Sequence, residues 1–262
     1  MDIFNFNPET VFSFWLTFFR VSLVVFLLPF FGGEAMPVPI KAALCIVLSL
    51  ALWPHLSFDA QYFPEHPAQI AVMIMGELVL GLILGLIVHF LFAAIQTGGD
   101  LIAFQMGFKM MNVVDPLTGL QESITTQFLY MCSMLVFLSI NGHLYMLMGL
   151  TQSFDLIPPG GLFITPELIN QIIYYSSQIF VLAFKIASPI IATVFLVNLG
   201  LAFMARTAPQ MNVLLLGFPI KIAVGLLFLS LVFQLISLYV SGFISDLGGT
   251  MYNLLRAAAG PS

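Results

Sequence analysis

Arg20, Glu77, His89, Lys185, Asn198 and Gln234 stand inside otherwise hydrophobic runs, and they are the first residues to question for chemistry. A charged or amide side chain is costly among apolar neighbours, so it faces protein or a water-filled path. One reading is an ion or proton route. The other is hydrogen bonding between helices or contact with a partner subunit. No DxxD-like spacing and no Glu/His ladder lies along one helical face, which favours the second.

Other reactive types are present without the spacing their chemistry needs. His55, His66, His89 and His143 have no metal-ligand spacing to one another or to Cys45 and Cys132. Both cysteines lie in apolar stretches and read as small buried hydrophobes. HExxH, GxSxG, the P-loop and a GxGxxG strand-helix context are all missing. Ser139 and His143 are four apart on one helical stretch, but nothing beside them suggests an oxyanion hole. The expectation is therefore a protein that is not an enzyme, with no catalytic residue, metal site or cofactor.

The composition turns attention to the elements that carry these residues. The chain of 262 residues is 60% hydrophobic and only 7% charged, with a mean hydropathy of +1.07. A soluble domain carries roughly 25% charged residues. One core of this length cannot hide so much apolar surface, so lipid or a protein assembly must cover the rest. The net charge is -5, from seven basic and twelve acidic residues scattered singly. No basic stripe exists to follow a phosphate backbone, so nucleic acid is not an expected partner.

Six apolar stretches are expected as helices, with five or seven as the alternatives: 11–31, 40–56, 70–95, 124–150, 172–204 and 211–244. Breaks between them carry Gly32-Gly33, Pro37 and Pro39, then Pro54, Pro64 and Pro67, then Gly98-Gly99, then Pro158-Pro159-Gly160-Gly161, then Pro209. A spanning helix needs about 20 apolar residues. The second stretch is barely long enough, whereas the last two exceed the bilayer. Tilt, kinks at Pro189 and Pro219, or projection beyond the membrane into other proteins would absorb the excess. The start Met1-Asp2-Ile3-Phe4-Asn5 lacks a basic n-region and a small-residue cleavage site, so the first stretch is expected to remain in the mature protein. Lys41, Lys109, Arg206 and Lys221 fall in or beside alternate breaks, which predicts both termini on the non-cytoplasmic side.

Three segments carry more specific signals. Gly81 and Gly85 form a GxxxG element that allows close helix approach, expected at a partner interface. Residues 96–119 are too polar and glycine-broken to span lipid, yet too apolar for a solvated loop. Backbone of that kind at membrane depth is buried in protein or lines a cavity. Phe104, Met106, Phe108, Met110 and Met111 there are bulky and adaptable. They suit either a deformable plug across a pore or an amphipathic segment laid against neighbouring helices. The third segment joins Arg206-Thr207-Ala208-Pro209-Gln210-Met211-Asn212-Val213 to Gly217-Phe218-Pro219-Ile220-Lys221.

Gly98-Gly99-Asp100-Leu101-Ile102-Ala103-Phe104-Gln105-Met106-Gly107-Phe108, with Val114-Asp115-Pro116-Leu117-Thr118-Gly119, resembles the central segment of the FliR family. The RxxPQxN and GFPxKxxxGL patterns of the third segment resemble that family's other hallmark. The likeness extends over the whole chain in length and hydropathy. It implies an all-α, polytopic membrane-class fold with a FliP-like part over residues 1–170 and a FliQ-like helical hairpin over 171–262. It implies a core subunit of the flagellar type III protein-export gate, in the basal body at the bacterial inner membrane. FliP and FliQ would be its partners in a hetero-oligomer, FlhB and FlhA its further contacts, and unfolded flagellar subunits its cargo.

The resemblance also assigns residues. Phe104, Gln105, Met106, Gly107, Phe108, Met110, Met111, Asp115 and Pro116 would form the pore plug, with Gly98, Gly99, Gly107 and Gly119 giving it backbone freedom. Arg206, Pro209, Gln210, Asn212, Phe218, Pro219 and Lys221 would form a partner interface at the cytoplasm-facing tip of the hairpin. Lys221 would pair with a partner carboxylate or snorkel to the cytoplasmic surface. A homologous gate subunit of a virulence injectisome is the nearest alternative. A stand-alone secondary transporter is the remaining one, though no second copy of either motif supplies its internal repeat.

Overall fold

A computed structural model describes residues 8–32, 36–55, 66–108, 123–208, 210 and 213–259. Among them the regular structure is helical and no strand is present. In chain order the elements are α1 (Pro8–Leu27), α2 (Pro29–Gly32), α3 (Val38–Leu52), a 3-10 turn (Trp53–His55), α4 (Pro67–Met106), α5 (Ile124–Ser139), α6 (Gly142–Leu156), α7 (Pro166–Thr207) and α8 (Val213–Ala258). By length and composition, four of these helices can cross a membrane: α1, α4, α7 and α8. The number becomes five if α5 and α6 together form one broken span. Among the described residues the exact count of six is not confirmed, because α3 has only 15 residues, about 22 Å.

Two expected boundaries move. The Gly98-Gly99 pair predicts a break after the third stretch, but α4, 40 residues long, runs through it. Both glycines are used for close packing instead. A methyl group at Gly98 would lie 3.1 Å from the Ala183 carbonyl oxygen of α7, and one at Gly99 would lie 3.0 Å from Thr126 Cα of α5. Conversely, the single stretch expected over 124–150 is broken at Asn141, whose φ of 61° is left-handed. Asn adopts that region more readily than other side-chain-bearing residues, and Gly142 follows it to start α6.

The described chain divides into two compact units. The first contains residues 1–90, 141–176 and 244–262; the second contains 91–140 and 177–243. In the first unit, α1 buries Ser13, Leu16, Thr17, Arg20, Val21, Val24 and Val25, a three-and-four spacing that makes one helical face, and Leu28 just beyond its end is buried too. Gly81 and Gly85 receive that face: added methyl groups would lie 2.7 Å from the Arg20 carbonyl oxygen and 2.6 Å from Leu27 Cβ. The GxxxG strip expected for a partner is thus filled by α1 of the same chain. Trp53 donates its indole N–H to Ser13 Oγ at 2.8 Å and ties the 3-10 turn to α1. At the other end, the Thr165 hydroxyl donates to the Ala257 carbonyl (2.8 Å) and the Phe163 N–H to that of Ala258 (2.8 Å), fastening the end of α8.

The second unit is built around the last turns of α4. Phe92 packs edge-on against Tyr130 and Phe137 of α5, with ring centroids 5.6 and 5.5 Å away. Ser123 caps α5 by accepting the Thr126 N–H at 3.1 Å, and the Thr126 hydroxyl donates to Asp100 Oδ1 at 2.9 Å. The α8 residues of this unit bury Gly225, Leu229, Val232, Ile236 and Val240, again one narrow stripe. Leu226, Leu227, Leu231 and Leu238 on its other faces are exposed.

Candidate functional site

Two places bring polar or motif residues together. In the first unit, Arg20 of α1 and Glu77 of α4 form an ion pair with almost no solvent exposure. Arg20 Nε donates to Glu77 Oε2, and Nη2 donates to Oε1 at 3.0 Å, a fork-on-fork contact. Two further guanidinium N–H groups are also used: Nη1 donates to Ser153 Oγ at 3.1 Å and Nη2 to the Ile157 carbonyl at 3.2 Å. The Phe154 ring lies 4.1 Å from the Arg20 guanidinium carbon.

A buried charge is tolerated when it is paired and its hydrogen bonds are satisfied. Arg20 and Glu77 meet that condition, so they read as a clamp joining α1, α4, α6 and the residues after α6. The other polar residues singled out in apolar runs do not join them: His89, Lys185, Asn198 and Gln234 all lie exposed on the chain's own surface. No ladder of ionisable groups forms among the described residues. No group of three or more His, Cys, Asp or Glu that could hold a metal is present among them either.

In the second unit the two motif segments touch. Helix α4 ends in a Schellman cap: the Phe108 N–H bonds to the Ala103 carbonyl at 3.0 Å and the Gly107 N–H to that of Phe104 at 3.1 Å. Gly107 takes the left-handed conformation this cap requires, with φ of 88°. The Phe218 ring of α8 lies against Gly107; a methyl group there would meet Phe218 Cδ1 at 2.9 Å. One step away, Met106 is fully buried in the notch left by Gly225, where a methyl group would lie 2.6 Å from Met106 Cε and 2.7 Å from its Cγ.

The remaining residues of the two sets are placed as follows. Phe104 is 68% exposed, while Gln105 and Phe108 are partly covered. Arg206 and Gln210 are exposed, Pro219 is exposed within α8, and Lys221 is half-buried. Met110, Met111, Asp115, Pro116, Pro209 and Asn212 lie outside the described residues.

With this geometry in place, comparison with known proteins is informative. The profile of the family described as "Bacterial export proteins, family 1" matches residues 11–247. The flagellar biosynthetic protein FliR of Bacillus subtilis is 34% identical over 254 residues, covering 93% of this chain and 94% of that protein. FliR of Aquifex aeolicus is 32% identical over 244 residues, covering 92% of each. The chain belongs to the FliR family of bacterial export proteins.

A more distant relative within reach is the surface presentation of antigens protein SpaR of Salmonella typhimurium, 28% identical over 219 residues and covering 84% of this chain. As a FliR-family export protein with four or five helices able to cross a bilayer, the chain is membrane-associated. The sequence marked Arg20 and Glu77 individually as costly residues but carried no signal that they pair, because 57 positions separate them. The Schellman cap was more accessible. A glycine after an apolar helical run, as in Phe104-Gln105-Met106-Gly107, is the ordinary signature of a helix end.

Proposed function

We propose that this FliR-family chain is a core subunit of the flagellar type III protein-export gate. It assembles with FliP and FliQ subunits into a channel for unfolded flagellar proteins and contacts FlhB and FlhA. Residues 1–170 form a FliP-like part, and 171–262 a FliQ-like hairpin whose tip, with Arg206, Pro209, Gln210 and Asn212, faces the cytoplasm. The complex lies at the bacterial inner membrane, with helices projecting to the periplasmic side. The segment holding Phe104, Gln105, Met106, Gly107, Phe108, Met110, Met111, Asp115 and Pro116 closes the channel at rest.

The observation carrying this reading is the match to FliR proteins along nearly their whole length. Two structural features support it. Helices α7 and α8 run 42 and 46 residues, about 63 and 69 Å, far more than the roughly 30 Å of hydrocarbon in a bilayer. Their exposed apolar residues suit cover by other subunits as well as lipid. Phe104, an aromatic side chain at the end of α4, is left uncovered by its own chain.

Apolar side chains with no polar partner exclude water and ions, and methionines can part around a polypeptide of varied sequence. The likeness to SpaR supports a second reading, the equivalent subunit of a virulence injectisome, but at lower identity than the flagellar relatives.

Co-expression with FliP and FliQ, followed by a mass measurement in detergent, tests the assembly. A stable hetero-oligomer is expected, and a chain that purifies alone as a stable monomer would remove the reading. Deleting residues 105–111 in the assembled gate tests the closure. Small-ion leakage through reconstituted vesicles should rise without loss of assembly; unchanged leakage would sink the plug.

A further inference from the structure

We propose that Phe218 and Gly225 of α8 are positioning residues for the pore-closing segment: together they hold its root, Met106-Gly107, in one place. This rests on the closure reading above and adds to it a specific support in a distant part of the chain.

The Schellman cap fixes the direction in which the chain leaves α4, because it uses backbone bonds from Ala103 and Phe104 and a left-handed Gly107. A cap alone does not fix where that exit lies relative to other helices. The neighbouring contacts do. Met106 projects sideways into the gap where α8 has no side chain at Gly225, and three of its atoms, Cγ, Sδ and Cε, lie within 2.7 Å of the missing methyl position. Phe218 approaches the cap from the same helix, two turns earlier, and lays its ring over Gly107.

The fit is reciprocal. Each helix supplies one glycine and one bulky side chain, so the contact resists sliding in both directions along α8. Met106 has no exposed surface, and an apolar side chain seated this way loses its van der Waals partners if α8 shifts. The end of α4, through Gly107 and Phe108, is therefore held in place, and a seal built from flexible side chains needs such a base to close in the same place each time.

The test uses the gate assembled with its partner subunits and reconstituted into vesicles. Gly225→Ala forces Met106 out of its notch, and Phe218→Ala removes the ring over Gly107. Each is expected to raise small-ion leakage at least several-fold while the mass of the complex is unchanged. Phe218→Ala only removes atoms, so it keeps the test valid if Gly225→Ala does not assemble.

A tethered variant separates positioning from general loosening. In a background with Cys45→Ser and Cys132→Ser, Met106→Cys/Gly225→Cys places two Cβ atoms at most about 4 Å apart, within disulfide range. Oxidation should form the bond and lower leakage several-fold relative to the same variant reduced, and reduction should raise it again.

Failure of the disulfide to form would overturn the contact. Leakage from the 105–111 deletion, but none from Gly225→Ala or Phe218→Ala, would overturn the positioning role and leave the plug intact. No leakage from the deletion itself would instead remove the closure reading, with the disulfide still reporting the contact.

Discussion

Arg20 and Glu77 lie in separate helices, yet they meet fork to fork with no more than 1% of either side chain exposed. An isolated charge at either position would face an apolar interior. The pair is therefore best understood as one unit that orients α1 on α4 and draws in Ser153 and Ile157. A single substitution has a very different consequence from a double one.

Arg20→Met should leave the Glu77 carboxylate buried without its main partner, at a cost of about 3–5 kcal/mol. Arg20→Met combined with Glu77→Leu should recover most of that loss, because a buried ion pair and apolar residues of similar volume are often close in stability. Thermal unfolding of the assembled complex in detergent reads both. A single variant as stable as the parent would remove the clamp from the account.

Gly81 and Gly85 make a second test of the same packing. A methyl group at Gly81 would press on the Arg20 carbonyl oxygen, and one at Gly85 on Leu27 Cβ, and both atoms are held by the α1 backbone. Neither can turn aside without moving the helix. Gly81→Ala and Gly85→Ala should therefore each destabilise by about 1–3 kcal/mol. Either variant unfolding at the parent temperature in the same measurement would contradict the packing described.

Ser123 accepts the Thr126 N–H at the start of α5, and its hydroxyl also lies 2.7 Å from the Thr126 hydroxyl that reaches Asp100. Ser123→Ala should cost about 1 kcal/mol, and Ser123→Gly only a few tenths. Hydrogen exchange of the first turn of α5 should quicken in the alanine variant. Equal exchange in all three proteins would mean that the cap contributes nothing.

Gly107 should tolerate substitution poorly whatever the space around it, because its φ of 88° is strained for residues with a Cβ. Gly107→Ala should cost about 1–2 kcal/mol, and Gly107→Asn less, since Asn is the usual substitute at this cap position. Comparable unfolding temperatures for parent and alanine variant would argue against the left-handed cap.

The apolar helices and the absence of recognisable enzyme motifs were legible in the sequence, because hydrophobic length and motif spacing are local properties. Partner choice was not. Nothing near Arg20 announces Glu77, and nothing near Gly225 announces Met106, since each contact is made only when distant helices pack. Gly98-Gly99 misled for a related reason: glycine both breaks helices and lets them approach closely, and tertiary packing decides which. Asn141 was overlooked because the stretch on either side of it is hydrophobic enough to read as continuous.

The end of α4 also bears on how the chain is made. Its cap uses bonds among neighbouring residues only, Ala103 through Phe108, and local helical structure forms in about a microsecond or less. The residues of α8 that receive it emerge more than a hundred positions later, which at about 5–20 residues per second is a delay of about 5–20 seconds. The root of the segment is thus shaped first, during synthesis, and the notch at Gly225 arrives at a terminus already turned to meet it. Chain order gives the newborn protein the turned end of α4 before α8 exists to receive it.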